Sequence, residues 1–194
     1  MSLFAKNKLK SLQKKIAKLH AIYQQDMTKQ NAQNEINAQY QLAEFYKKHL
    51  FDKKFPKAEI YLLECYRAIA ALDDPKAKYL CGEKLLTEGK FWANWSHNPV
   101  YGSVIHKKYA QALFDEAHAY LHAADENDYA LAKRLLGMAN MHGWGIPRDM
   151  NKGYQLILDS IELEKAWDRA TKIFEELKLS SPEFFAALQS YRKS

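Results

Sequence analysis

The sequence predicts an all-α fold: an α/α solenoid of about three helix hairpins with a capping helix at each end. Two observations predict it. Only 7 Gly and 5 Pro punctuate 194 residues, too few for a many-turned β-sandwich and suited to long helices with short connections. Landmark residues also return at a nearly fixed interval, as expected where stacked units bury a face against their neighbours.

The apolar spacing and the caps predict helices over 5–30, 34–49, 56–72, 75–89, 107–125, 128–142, 150–162, 165–178 and 182–192. The first carries Leu9, Leu12, Ile16, Leu19 and Tyr23 at steps of three and four, one apolar stripe on a lysine-rich helix. It is expected to cap the first hairpin; a coiled-coil-like docking helix, an acidic partner or an anionic membrane surface are the alternatives. The segment lacks Trp and Arg, which argues against the membrane. Asp74-Pro75 reads as an N-cap followed by Pro at the first helical position, and Ser181-Pro182 repeats that signal. Gly143 and Gly145 are expected where the chain reverses with positive φ, and Asp149 caps the helix that follows.

The repeat frame is clearest in Ala132-Lys133-Arg134-Leu135-Leu136-Gly137, followed by Gly143-Trp144-Gly145-Ile146 and by Asp149 with Lys152-Gly153. It appears upstream as Ala77 with Cys81-Gly82, and as Ala38 with Leu42-Ala43 and Tyr46; Ala170 opens a last, degenerate copy. The leading alanines, Ala38, Ala77, Ala132 and Ala170, recur at a period of about 38 once an insertion in the middle interval is set aside. A second landmark, the small residue at Ala58, Ala110 and Gly153, precedes the next leading alanine by 19, 22 and 17.

This pattern resembles the Sel-one-like repeat, a relative of the tetratricopeptide repeat, over roughly residues 36–172 and most strongly over 128–165. Asn140 stands where that family usually has Tyr, Gly153 where it has Ala, and the second copy lacks the Gly-x-Gly turn. The resemblance implies a basic amphipathic cap at 1–33, a repeat domain at 34–178 and a C-terminal cap at 179–194. Its copies would span about 36–74, 75–129 with the insertion at 90–106, and 130–167.

The resemblance also implies a non-enzymatic protein–protein interaction module, a bacterial adaptor or a toxin-neutralising immunity protein. Its concave groove would be lined by Tyr40, Glu44 and Lys47, by Tyr79, Glu83 and Leu86, and by Arg134, Met138, Met141 and His142. Tyr40, Tyr79 and Arg134 would form a ladder, and Tyr and Arg concentrate binding energy at interfaces. The insertion, with Phe91, Trp92, Trp95 and Tyr101, is expected as a long loop that either contacts a partner or folds back on the scaffold. Trp144 would add to either surface.

The net charge of +6 is local. Residues 1–25 hold six lysines and no acid, whereas 26–194 hold 23 bases and 23 acids. A neutral body argues against a surface that tracks phosphates, so no nucleic-acid partner is expected. Cys65 and Cys81 are too few for a disulfide framework or a zinc site and read as buried thiols. No apolar run approaches the ~20 residues of a membrane span, and no secretory signal is seen, so a cytoplasmic protein is expected. His118 and His122 lack the intervening Glu of a metalloprotease motif, and no nucleophile elbow, Walker loop or dinucleotide fingerprint occurs. No catalytic residue, metal or cofactor is therefore expected. The alternatives are a hydrolase using a groove carboxylate such as Glu64 or Glu83, and attachment of the basic N-terminal helix to an anionic membrane or nucleic acid.

Overall fold

The computed structural model describes residues 3–192. It is all-helical, with no strand among those residues. The helices are α1 (Leu3–Gln25), α2 (Lys29–Lys48), α3 (Ala58–Ala70), α4 (Pro75–Ser96), α5 (Val104–Asp125), α6 (Ala130–His142), α7 (Met150–Leu163), α8 (Ala170–Glu176) and α9 (Pro182–Tyr191). A 3-10 turn, Trp167–Arg169, leads into α8. The chain packs as two compact units, residues 1–81 and 82–194, the division falling within α4.

Helix starts follow the capping chemistry. Asp74 accepts from the Ala77 amide at 2.7 Å, Asp149 from Lys152 at 3.0 Å, and Ser181 from Phe184 at 3.2 Å. Each fills one of the amide donors that a helix N-terminus leaves unpaired. Gly143 and Gly145 take φ of 70° and 74°, which reverses the chain between α6 and α7. Four other connections stop their helices with a non-glycine residue in the same left-handed region: Asp73, Asp128, Lys165 and Lys178, at φ of 66°, 57°, 52° and 57°. The first three stand four or five positions ahead of Ala77, Ala132 and Ala170. The leading alanines themselves, Ala38 included, are all buried.

In unit 1, α1 lies antiparallel on α2, joined by His20 Nδ1 to Glu35 at 2.9 Å and by Lys15 Nζ to Gln41 at 3.2 Å. Leu9, Leu12, Ile16, Leu19 and Tyr23 are half-buried along this seam, while the lysines point outward. Helix α2 in turn packs on α3 around Ile36, Leu42, Phe45, Leu62, Tyr66 and Ile69. Cys65 is buried here, and that burial, with Glu64 beside it, pushes the thiol up to about 12.

In unit 2, α6 and α7 approach most closely. A Cβ on Gly137 would lie 2.7 Å from Ile157 and 2.8 Å from the Gly153 carbonyl; one on Gly153 would lie 2.3 Å from the Met141 side chain. Two glycines facing each other let the two backbones meet. The C-terminal core gathers Tyr154, Ile157, Leu158, Ile161, Ile173 and Phe174, and α9 closes it with Phe184. The Phe184 ring meets Tyr154 and Phe174 edge-on at centroid separations of 5.4 and 4.8 Å. The Tyr191 hydroxyl donates to Asp159 at 2.9 Å, which ties the end of α9 to α7.

The insertion differs from its expected form. It is not a long loop: α4 runs on through Gly89 to Ser96, only 97–103 are non-helical, and α5 starts at Val104 behind the Ser103 cap. Gly89 does not stop the helix because the Phe114 ring fills the space beside it, 2.8 Å from where a Cβ would sit. Gly82, deeper in the hairpin, meets Ala117 and Leu121 of α5. The inserted residues thus lengthen both arms of the α4–α5 hairpin.

Candidate interaction surface

The helix faces expected to line a groove are occupied largely by internal contacts. In unit 1 the Tyr40 hydroxyl donates to Asp74 at 2.7 Å, the same carboxylate that caps α4, and Lys76 sits 5.4 Å from the ring centre. In unit 2, Arg134 donates to Ser160 Oγ at 3.2 Å and to Glu164 at 2.5 Å. Both ladder positions are thus strapped to the chain that follows their own hairpin partner, which leaves little of either side chain for a ligand. Tyr79 is half-buried. Leu86 and Met141 are buried, so both belong to the core rather than to a groove. Met138 is half-buried against the C-terminal core.

Glu44 and Lys47 are exposed and paired at 3.8 Å along α2. Glu83 is also exposed, on α4. His142 ends α6 at the surface and stacks on Trp144 at 4.9 Å. Partial burial, then the cations Arg148 and Lys90, hold its pKa below the usual histidine value. Lys90 lies over the Trp144 ring at 4.1 Å, a cation–π contact from α4 to the α6–α7 turn. Helix α5 secures the same turn: Gln111 donates to the Gly145 carbonyl at 2.9 Å, and His118 Nε2 lies 2.8 Å from the Trp144 carbonyl. His118 therefore serves packing, with His122 beside it, and no cluster of three metal-ligating side chains occurs among the described residues.

The aromatic residues of the insertion do come together, at the outer end of the α4–α5 hairpin. Phe91 and Trp95 are one helical turn apart and stack at 6.1 Å; Trp95 stacks on Tyr101 at 6.4 Å. Trp92 faces inward, stacked on His106 at 5.2 Å and edge-on to Tyr109 at 5.5 Å. It joins the two arms. The outer rings stay in water: Phe91 is 56%, Trp95 38% and Tyr101 67% exposed. Val100, Val104 and Ile105, from the same connection and the first turn of α5, are exposed as well.

The valines, Ile105 and Tyr109 are not among the residues that the sequence singles out. The signal is present in Ser103-Val104-Ile105-His106, an N-cap opening a helix, which moves the start of α5 forward. The tip is held in place despite its exposure. Asn98 accepts from the Val100 and Tyr101 amides at 2.9 and 3.0 Å, and the Gly102 amide donates to the Asn98 carbonyl at 2.8 Å. Large exposed aromatics on a pre-shaped tip are the composition of a contact surface. None of the described helices is long and apolar enough to cross a membrane. No family model matches the chain, and no curated protein and no solved structure matches it either.

Proposed function

We propose that the chain is a non-enzymatic module of about three helix-hairpin repeats, resembling Sel-one-like repeats, that holds a specific protein partner. Three recurrences support the repeat reading: the buried leading alanines, the buried small residues Ala58, Ala110 and Gly153 on the second helices, and the left-handed helix stops ahead of Ala77, Ala132 and Ala170. The observation that carries the binding role is the exposed tier Phe91–Trp95–Tyr101 with Val100, Val104 and Ile105, held on a hairpin whose geometry is fixed before any partner arrives. Such preorganisation lowers the entropy lost on association, and buried aromatic anchors then dominate affinity. An adaptor that links two components and an immunity protein that covers a toxin would both use this surface, and genomic neighbourhood would discriminate them.

The test is capture of a stoichiometric protein from native lysate by the full chain and by Trp95→Ala/Tyr101→Ala. Truncating two anchors should weaken capture at least ~30-fold, as a loss of ~2 kcal/mol requires. Melting should fall only modestly, because Tyr101 is 67% and Trp95 38% exposed and both lie outside the core. Recovery of no stoichiometric protein, or equal capture by the double variant, would overturn the proposal.

A further inference from the structure

A second surface lies in unit 1 and has a different chemistry. Residues 1–57 carry 12 lysines against 4 acids, and 58–194 carry 17 bases against 19 acids. The fold collects much of that excess at one end of the unit. Helices α1 and α2 run antiparallel, with Lys15 beside Gln41 and His20 beside Glu35. Continuing that register, at the same rise along both helices, sets the first turns of α1 beside the α2–α3 connection. Lys6, Lys8 and Lys10 thereby join Lys47, Lys48, Lys53, Lys54 and Lys57, all of them exposed. The acids nearby are engaged: Glu44 pairs with Lys47, and Asp52 accepts from the Lys54 amide at 2.8 Å.

The same stretches carry two bare phenylalanines, Phe51 at 98% exposure and Phe4 at 78%, which the register brings to the same end. The turn that carries Phe51 is packed without it: Phe45, His49 and Phe55 meet ring against ring, with centroids 4.4 to 5.5 Å apart. The turn is also pinned by backbone bonds from Asp52 to His49 at 3.1 Å and from Phe55 to Asp52 at 2.7 Å. Fully exposed rings among exposed lysines are the reverse of a protein-binding pocket. They are wedges suited to the headgroup–acyl boundary, with cations placed to meet anionic headgroups. The other end of the unit differs, its connections mixing Asp26, Asp73 and Asp74 with Lys29, Lys76 and Lys78, and Asp73 pairing with Lys78. The cationic excess therefore lies at one end of the unit.

We propose that this end of unit 1, with Phe51 and Phe4 as wedges and the surrounding lysines as counter-charges, docks the protein on an anionic phospholipid membrane. The site shares no residue with the aromatic tier, so either proposal can fail without the other.

The full chain is floated with phosphatidylcholine vesicles, with and without about 30 mol% phosphatidylglycerol. The expected result is recovery with the anionic vesicles alone and release by added salt. Lys53→Glu/Lys54→Glu should abolish flotation, and Phe51→Ala should reduce it about tenfold. An unchanged melting curve for Phe51→Ala shows that the loss is not unfolding. Partition that ignores lipid charge, or that Phe51→Ala leaves intact, overturns the proposal. So does binding to a single-stranded RNA oligomer that matches or exceeds vesicle binding and is indifferent to Phe51→Ala, which would make the patch a polyanion site.

Discussion

Single atoms decide much of what this protein tolerates. Gly137 is the sharpest case, since any Cβ there meets Ile157 at 2.7 Å and the Gly153 carbonyl at 2.8 Å, and a backbone oxygen cannot step aside. Gly137→Leu should cost ~1–3 kcal/mol or more, read as a fall in melting temperature; an unchanged melt would place α7 elsewhere. The left-handed helix stops work in the opposite sense. Asp128, Lys165 and Lys178 hold φ of 57°, 52° and 57°, where a side chain is strained and glycine is not. Lys178→Gly should therefore stabilise by roughly 0.5–1 kcal/mol in denaturant unfolding. Histidines set a pH limit. His122, through burial and then neighbouring His118, and His142, through burial and then Arg148 and Lys90, both have lowered pKa values. The folded state disfavours their protonated forms, so their contribution is intact above the unfolded histidine value near ~6.5 and erodes as pH falls through it. Replacing both by Gln should flatten the loss of melting temperature between about pH 7 and 5.

At the scale of the element, the caps and turns were legible because their chemistry is local: Asp74, Asp149 and Ser181 each act on an amide three positions on. So were the leading alanines, since a buried small residue recurs wherever one helix must approach another. The extension of α4 was not legible. Gly89 lacks helix propensity, and only the ring of Phe114, on the facing helix, makes its missing side chain an advantage. The internal partners of Tyr40 and Arg134 were not legible for a similar reason. Their acceptors Asp74 and Glu164 lie far along the chain, beyond any spacing rule. Tyr40→Phe should accordingly cost about 0.5–1.5 kcal/mol in stability and leave partner capture unchanged, whereas a groove contact would show the reverse. Asn94→Pro offers the matching test of the extended arm. It should remove the last turns of α4 from the far-ultraviolet helix signal and abolish capture, while the α6–α7 core persists.

Across the whole molecule, order is unevenly distributed. Unit 2 ends in a core closed by a fully buried Phe184, whereas α1 buries its stripe only halfway. Amide exchange should be slowest in α6 and α7 and fastest in α1, following the apolar area each helix removes from water. Equal protection of α1 and α7 would contradict that gradient. Charge is as uneven as packing, with the lysine excess confined to the stretch 1–57.

The lengthened α4–α5 hairpin has a consequence in phase. Gly82 and Gly89 are two turns apart and both face α5, because seven steps of about 100° fall only ~20° short of two full rotations. Seven is therefore the quantum by which this arm can grow or shrink with its aromatic face still aimed the same way. A change of five would swing Phe91 and Trp95 around the helix axis by about 140° and present whatever then lies beneath them. Reach and aim are separable variables in this hairpin. A series of heptad deletions and insertions would vary the distance at which the tier meets its target without altering what it shows.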